Sequence, residues 1–151
     1  MAKKILTLII VHQNGCVLLG LKKRGFGVGK YNGFGGKVDK GETVEEAAKR
    51  ELFEEARITA NNLKKLGVLD FSWKGKENEV LEVNIFKTTD FSGEPTEGEE
   101  MKPQWFDIDK IPYDKMWSDD AHWLPLFLEN KKFKGKFMFD NNNNIVKHEL
   151  N

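Results

Sequence analysis

Glu51, Glu54 and Glu55 fall within five positions of one another in the stretch GGKVDKGETVEEAAKRELFEEARI. Like charges three and four residues apart on a helix repel, so a chain that keeps them there either leaves them to solvent or uses them. Three hard oxygen donors from a turn and a half of helix suit a divalent cation. Mg²⁺ takes carboxylates and water and shares its remaining positions with phosphates. Arg50, beside them, offers a different outlet by neutralising one glutamate. Just upstream, GFGGKVDKG sets Gly33, Gly35, Gly36 and Gly41 where backbone groups can approach a ligand closely. A glycine-rich loop on its own also serves as an ordinary turn.

These carboxylates need an element to aim them. Helical periodicity runs from Val44 to Ala56, with Thr43 as the capping residue and Glu46 three positions on, a capping-box spacing. At about 100° per residue, Val44, Ala47, Ala48 and Glu55 lie within roughly 60° of Glu51, and Glu54 lies about as far off on the other side. The acids therefore continue the apolar stripe that faces the protein body. Glu45, Glu46, Lys49, Arg50 and Phe53 take the opposite side, where Glu45 to Lys49 and Glu46 to Arg50 are spaced as solvated ion pairs. Acid on an inward face needs a counter-charge. Neutralising Glu54 or Glu55 in metal-free protein is therefore expected to stabilise it.

Around this helix the chain reads as strands. KILTLIIV and CVLLGLKK flank Gln13-Asn14-Gly15, a hairpin signal because Asn and Gly tolerate positive φ. Further strands are expected near 66–73, 80–88 and 104–108, and in FKGKFMF and IVKHEL, with NNNN at 141–144 as the intervening turn. A second helix begins near Asp119 and carries Trp123, Leu124 and Phe127; Pro125 beyond its first turn should delay or bend it. Two helices among strands, without regular βαβ alternation, predict an α+β domain with a mixed sheet.

The 151 residues fit one domain, taken as 1–151, with no repeat, linker or composition break. Lys plus Arg and Asp plus Glu both number 24, so no basic field draws the chain to nucleic acid or an anionic membrane. One cysteine, Cys16, excludes an intramolecular disulfide and suggests a reducing compartment. ILTLIIV is too short for a targeting or membrane segment. The expectation is a soluble, cytoplasmic monomer, with a nuclear or mitochondrial fraction left open.

The spacing Gly36-x5-Glu42-x7-Arg50-Glu51-Leu52-x-Glu54-Glu55 resembles the Nudix box, Gly-x5-Glu-x7-Arg-Glu-U-x-Glu-Glu-x-Gly-U with U a bulky apolar residue. Ile58 supplies the last U. Arg57 stands where the box has glycine, which should cost some stability at the helix end but removes no ligand. The resemblance implies a mixed sheet between helices and metal-dependent hydrolysis of a nucleoside diphosphate linked to another group. LKKRGFGVGKYNGFGGKV, EMKPQWFDIDKIPYDKMWSDDAHWLPL and KKFKGKFMF extend it to one branch, the animal MutT homologues that hydrolyse oxidised purine nucleoside triphosphates such as 8-oxo-dGTP and 2-oxo-dATP. By that resemblance the base pocket falls on Thr7, Phe26, Asn32, Phe71, Trp73, Leu81, Trp117, Asp119, Asp120 and Trp123, with Lys22 nearby. Mg²⁺, with Mn²⁺ as a substitute, falls to the Gly36 carbonyl and to Glu51, Glu54, Glu55 and Glu100. Glu100 is chosen over Glu97 and Glu99 because it directly precedes the Met-x-Pro-x-Trp stretch.

Read for their chemistry, the five rings together with Asn32, Asp119 and Asp120 describe a flat apolar slot with a polar edge, although each ring alone fits a core as well. Aromatic faces supply about 1 to 3 kcal/mol per base without telling bases apart. Discrimination then rests on the edge. Asn32 both donates and accepts, while Asp119-Asp120 either reads the base or caps the second helix. His12, His122 and His148 are scattered and suggest no histidine site. The expected reaction is attack of water at the β-phosphorus, releasing monophosphate and pyrophosphate. Glu55 or Glu100 is the base, and Arg50 orients a glutamate. Two rivals remain: hydrolysis of another nucleotide, such as a dinucleoside polyphosphate or a cap, and a nucleotide-binding module without catalysis.

Overall fold

A computed structural model describes the backbone of residues 2–151 and side chains from Lys3 onward. The hairpin forms as its residues require: β1 (Ala2–Gln13) meets β2 (Cys16–Lys22) with Gln13 opposite Cys16. Asn14 and Gly15 both take positive φ, 54° and 74°, a two-residue turn whose twist suits antiparallel strands. β1 then serves as the spine. One edge pairs antiparallel with β2 and with β4 (Phe34–Lys37), and the other runs parallel to β7 (Glu79–Thr88).

Beyond β7 lie β6 (Lys64–Trp73), then β10 (Phe133–Phe139) parallel to it, then β11 (Ile145–Leu150). On the other side β2 pairs with the short β3 (Tyr31–Asn32) and with β9 (Met101–Asp107), completing a nine-stranded mixed sheet. β5 (Thr59–Ala60) and β8 (Phe91–Ser92) form a separate two-stranded ribbon. Asp140 closes the turn before β11, its carboxylate accepting the Asn142 and Asn144 N–H groups.

α1 (Val44–Ala56) and α2 (Asp120–Leu128) cover opposite faces. Ile9, Val11, Leu18 and Phe86 pack with Ala48, Leu52 and Ala56 of α1. Their sequence neighbours Ile10, Val17, Leu19 and Ile85 pack with Trp123, Leu124 and Phe127 of α2. A sheet buried on both faces explains why ILTLIIV and CVLLGL read as continuous apolar runs rather than alternating ones. α1 starts at the expected capping box, with Thr43 Oγ1 accepting from Glu46 N–H at 3.1 Å and Glu46 accepting from Thr43 N–H at 2.8 Å. Glu46 is thereby committed to the cap, and its expected pairing with Arg50 does not form.

α1 ends at Arg57, which takes the left-handed conformation, φ 61° and ψ 29°. The position thus keeps the backbone of a glycine at a strain of about 1 kcal/mol, and the guanidinium lies 5.3 Å from the Phe53 ring centroid. α2 begins before Pro125, not after it, and holds that proline inside its span.

Candidate active site

β1, β3, β6, β7 and α2 converge on one cleft of about 230 Å³. Its wall carries Thr7, Lys22, Asn32, Phe71, Trp73 and Leu81 from the sheet, Trp117, Asp119, Asp120 and Trp123 from the start of α2, and Phe26 from the loop after β2. Those eleven positions, scattered from 7 to 123, are the whole expected base pocket. Phe26 is 68% exposed and stands over the mouth, its ring 5.1 Å from Trp117 and 6.2 Å from Trp73. Trp73 is pinned from behind: its indole N–H donates to Asn143 Oδ1 at 3.0 Å. Trp123 differs from the other rings. It is 1% exposed, stacks on Phe133 at 5.6 Å, and is more core than wall.

The polar edge is arranged with free valences. Asn32 Oδ1 accepts the Gly33 N–H at 2.9 Å, so its NH₂ group is the part left to a ligand. Thr7 Oγ1 and Asp120 Oδ2 are buried with no partner, an expensive condition unless something else completes it. Asp119 makes no capping hydrogen bond and its own backbone is already helical, so the capping alternative does not describe it. It accepts instead from the Trp123 indole N–H at 2.8 Å. Burial raises its carboxyl, with the indole opposing. Burial, the Asp119 charge and the hydrogen bond with Asp119 raise Asp120 much further. Both carboxyls thus hold a proton more readily than a free aspartate, Asp120 the more strongly.

At its other end the cleft reaches Gly35, Gly36 and Glu55. Gly35 lies so close to β1 that a Cβ there would sit 1.9 Å from the Thr7 carbonyl oxygen. Its N–H donates to Glu55 Oε1 at 2.8 Å. Burial pushes the Glu55 carboxyl up to about 7, the Gly35 N–H opposing and the charges of Glu51 and Glu100 adding to it. Gly36 abuts Glu51: a Cβ would meet Oε1 at 2.7 Å. Burial raises Glu51 also, against the neighbouring Arg50.

Arg50 leaves the solvated side that the wheel assigns it and forks Glu42, its Nε and Nη2 donating at 2.7 and 3.0 Å. Nη1 donates to Glu51 at 2.9 Å and to Glu54 at 3.0 Å. Glu54 is consequently exposed and drawn toward the arginine. Among the described residues no three acid, histidine or cysteine side chains converge on one point. The wheel explains Glu54: Ala48, Leu52 and Ala56 are buried, which swings the inward face away from the Glu54 side. Glu97, Glu99 and Glu100 are each tied to the strand-end cations Lys23, Arg24 and Lys22. Glu100 is the one whose charge reaches Glu55, and Arg24 holds its own carboxyl below the usual range.

A sequence profile of the NUDIX domain matches residues 3–127. The chain belongs to the Nudix hydrolase family. It is 55% identical over 147 residues to the oxidized purine nucleoside triphosphate hydrolase of Danio rerio and 48% identical to that of Mus musculus. Each alignment spans 97% of this chain and 94% of the relative. The crystal structure of the MutT protein from Bacillus halodurans superposes with a TM-score of 0.89 at 27% identity, over 98% of this chain and 97% of that one.

Within this Nudix chain the box runs from β4 through the glycine loop and α1 to Ile58. Sequence reading missed Lys30, Met101 and Phe139, which also line the cleft. Phe139 was accessible to it, because Phe133, Gly135, Phe137 and Phe139 are buried in strict alternation. Lys30, with Nζ 5.5 Å from the Trp117 ring centroid, carried no signal, since its loop position follows three glycines at positive φ, Gly25, Gly27 and Gly29.

Proposed function

We propose that this Nudix hydrolase cleaves oxidised purine (deoxy)nucleoside triphosphates such as 8-oxo-dGTP and 2-oxo-dATP to the monophosphate and pyrophosphate, clearing damaged nucleotides from the precursor pool. One observation carries the reading. The aromatic cleft has two adjacent buried carboxyls, Asp119 and Asp120, both pushed upward by burial, side by side at its edge, and it opens at the other end onto Glu55. The names borne by the zebrafish and mouse relatives support the same substrate class.

The donor set fits a hard divalent cation. Glu51 and Glu55 are half-buried acids pushed upward chiefly by desolvation, and Gly36 brings its backbone against Glu51. The Gly36 carbonyl with Glu51, Glu54, Glu55 and Glu100 would hold Mg²⁺, or Mn²⁺ in its place. When bound, the ion would offset phosphate charge and make a bound water more acidic.

The chain's own residues divide the remaining work. Phe26 and Trp117 stack on the base, and Asn32 and the Asp119–Asp120 pair meet its edge. Lys22 lies toward the phosphates. Arg50 orients Glu51 and Glu54 rather than touching substrate. What favours Glu55 over Glu100 as the base that takes a proton from water is its place at the end of the cleft, with one oxygen fixed by the Gly35 N–H; Arg24 and Lys22 occupy the Glu100 carboxylate. Attack at the β-phosphorus then releases monophosphate and pyrophosphate.

No helix among the described residues is long and apolar enough to cross a membrane. The neutral charge balance supports a nucleotide rather than a nucleic-acid polymer as substrate. The reading extends to a cytoplasmic monomer acting as one domain, since β10 and β11, beyond the profile match, belong to the same sheet. Product release over a panel of oxidised and ordinary triphosphates, a dinucleoside polyphosphate and a capped oligonucleotide, with Mg²⁺ and with chelator, tests it. Selective, chelator-sensitive hydrolysis of oxidised purines is expected. Preference for the dinucleotide or cap, or binding without turnover, would overturn it.

A further inference from the structure

Alternation along β7 sends Leu81, Val83 and Ile85 to the α2 side of the sheet, where they wall the cleft. The next position on that face calls for another apolar residue and holds Lys87 instead. It is 3% exposed. Its ammonium sits 4.7 Å from the Phe127 ring centroid and donates to Asn130 Oδ1 at 2.9 Å. Among the described residues no acid pairs with it: burial pushes the amine down to about 8, and Lys64, its neighbour across the β6–β7 ladder, adds repulsion. Glu129, next to Asn130, is engaged by Lys131 at 3.1 Å. A buried cation paired only with a neutral amide is costly, and the carboxyl end of α2 offsets that cost in part.

Lys87 is not sealed in. It lines a surface pocket whose other walls are His12, Gln13, Asn14, Thr89 and Asn130. All six residues carry a hydrogen-bond donor and none is an acid. Thr89 Oγ1 accepts from Asn62 Nδ2 at 2.9 Å, leaving its own proton to give. His12 is half-buried and held below its usual value by burial and by Lys87, so at neutral pH it offers one ring N–H. A pocket of donors around an uncompensated ammonium lacks only a negative charge.

We propose that this pocket binds a small phosphate-type oxyanion, with the Lys87 ammonium as its counter-charge and His12, Asn14 and Thr89 as hydrogen-bond donors. The site is separate from the nucleotide cleft. His12 lies five residues beyond Thr7 on β1, roughly 17 Å along an extended strand.

The experiment is titration of inorganic phosphate into the whole chain at constant ionic strength, followed through backbone amide resonances. Saturable shifts at 12–14, 87–89 and 130 are expected, while anything phosphate does at the cleft is read separately at Gly35 and Gly36. Lys87→Met, whose stem fills the same space without charge, should weaken the response at 12–14 at least tenfold. His12→Leu, which leaves the ammonium in place, should weaken it by a smaller factor. Shifts that fail to saturate, that spread over exposed lysines, or that persist undiminished in Lys87→Met would overturn the proposal and leave Lys87 a cation serving only the end of α2.

Discussion

Trp123 holds Asp119 by an indole N–H···Oδ2 bond of 2.8 Å across one turn of α2, while Asp120, beside it, has a buried Oδ2 with no partner. Both carboxyls are raised above the ordinary aspartate value of 3.8, Asp120 the more strongly. The folded state therefore binds protons more tightly than the unfolded chain. Stability present below 3.8 is lost as pH rises through the raised folded values. Asp120→Asn removes that loss, so its melting temperature should exceed that of the wild type by a margin that widens from about pH 5 to about pH 8. A constant margin would mean that Asp120 is not buried as an acid.

The same asymmetry should govern base choice. One proton shared by the pair lets one carboxyl donate while the other accepts, and moving it exchanges those roles, which lets one pocket meet the different edges of oxidised guanine and oxidised adenine. Asn at either position fixes a donor where the proton was mobile. Asp119→Asn and Asp120→Asn should each change the ratio of kcat/KM for 8-oxo-dGTP over 2-oxo-dATP by about tenfold, the equivalent of one hydrogen bond of about 1.5 kcal/mol lost for one substrate. Rates for both substrates across the pH range decide it; unchanged ratios throughout would remove the pair from recognition.

Trp117 should act without preference. Its ring meets Phe26 at 5.1 Å and Lys30 at 5.5 Å and presents a face that any purine can cover. Trp117→Ala should weaken every purine nucleotide by about 1 to 3 kcal/mol. Binding titrations with several monophosphates would show it, and loss of one purine alone would make Trp117 a selectivity element.

The sequence carried these positions unevenly. α1 was legible to the residue, because Thr43 and Glu46 form a local cap that needs nothing from the rest of the chain. β3, β4, β5 and β8 were not: each spans two to four residues, too few to show alternation, and FGGK has two glycines that pair only because β1 passes so close. The orientation of the acids on α1 was legible as far as Glu51 and Glu55. Glu54 was misjudged because Ala48, Leu52 and Ala56 centre the buried face on the side away from it, while the Arg50 that draws it outward is held by Glu42, eight residues back, a contact made by the loop's return. The base pocket came through resemblance, since no local pattern joins Thr7 to Trp123.

Glu55→Gln should separate chemistry from binding. The carboxamide can still accept the Gly35 N–H, so the fold and the aromatic cleft are untouched, but it neither takes a proton from water nor carries charge toward the phosphates. Turnover should fall by orders of magnitude while nucleoside monophosphate binds as before. Near wild-type kcat would take Glu55 out of the reaction.

Metal-free stability offers a check independent of turnover, and here Glu54 and Glu55 part company. Glu55 is raised to about 7, above the ordinary glutamate value of 4.5, so the folded protein loses stability as pH rises from 4.5 through about 7. Glu55→Gln abolishes that loss and should stabilise chelator-treated protein at neutral pH by roughly 1 kcal/mol or more. Glu54 is exposed and already compensated by Arg50 at 3.0 Å. Relief of repulsion is not its only effect, and Glu54→Gln should change stability by less than about 0.5 kcal/mol. Thermal melts of both variants in chelator distinguish the two cases. Equal stabilisation would mean that Arg50 does not shield Glu54, and destabilisation by Glu55→Gln would make that carboxylate a structural partner of Gly35 rather than a strained acid awaiting a cation.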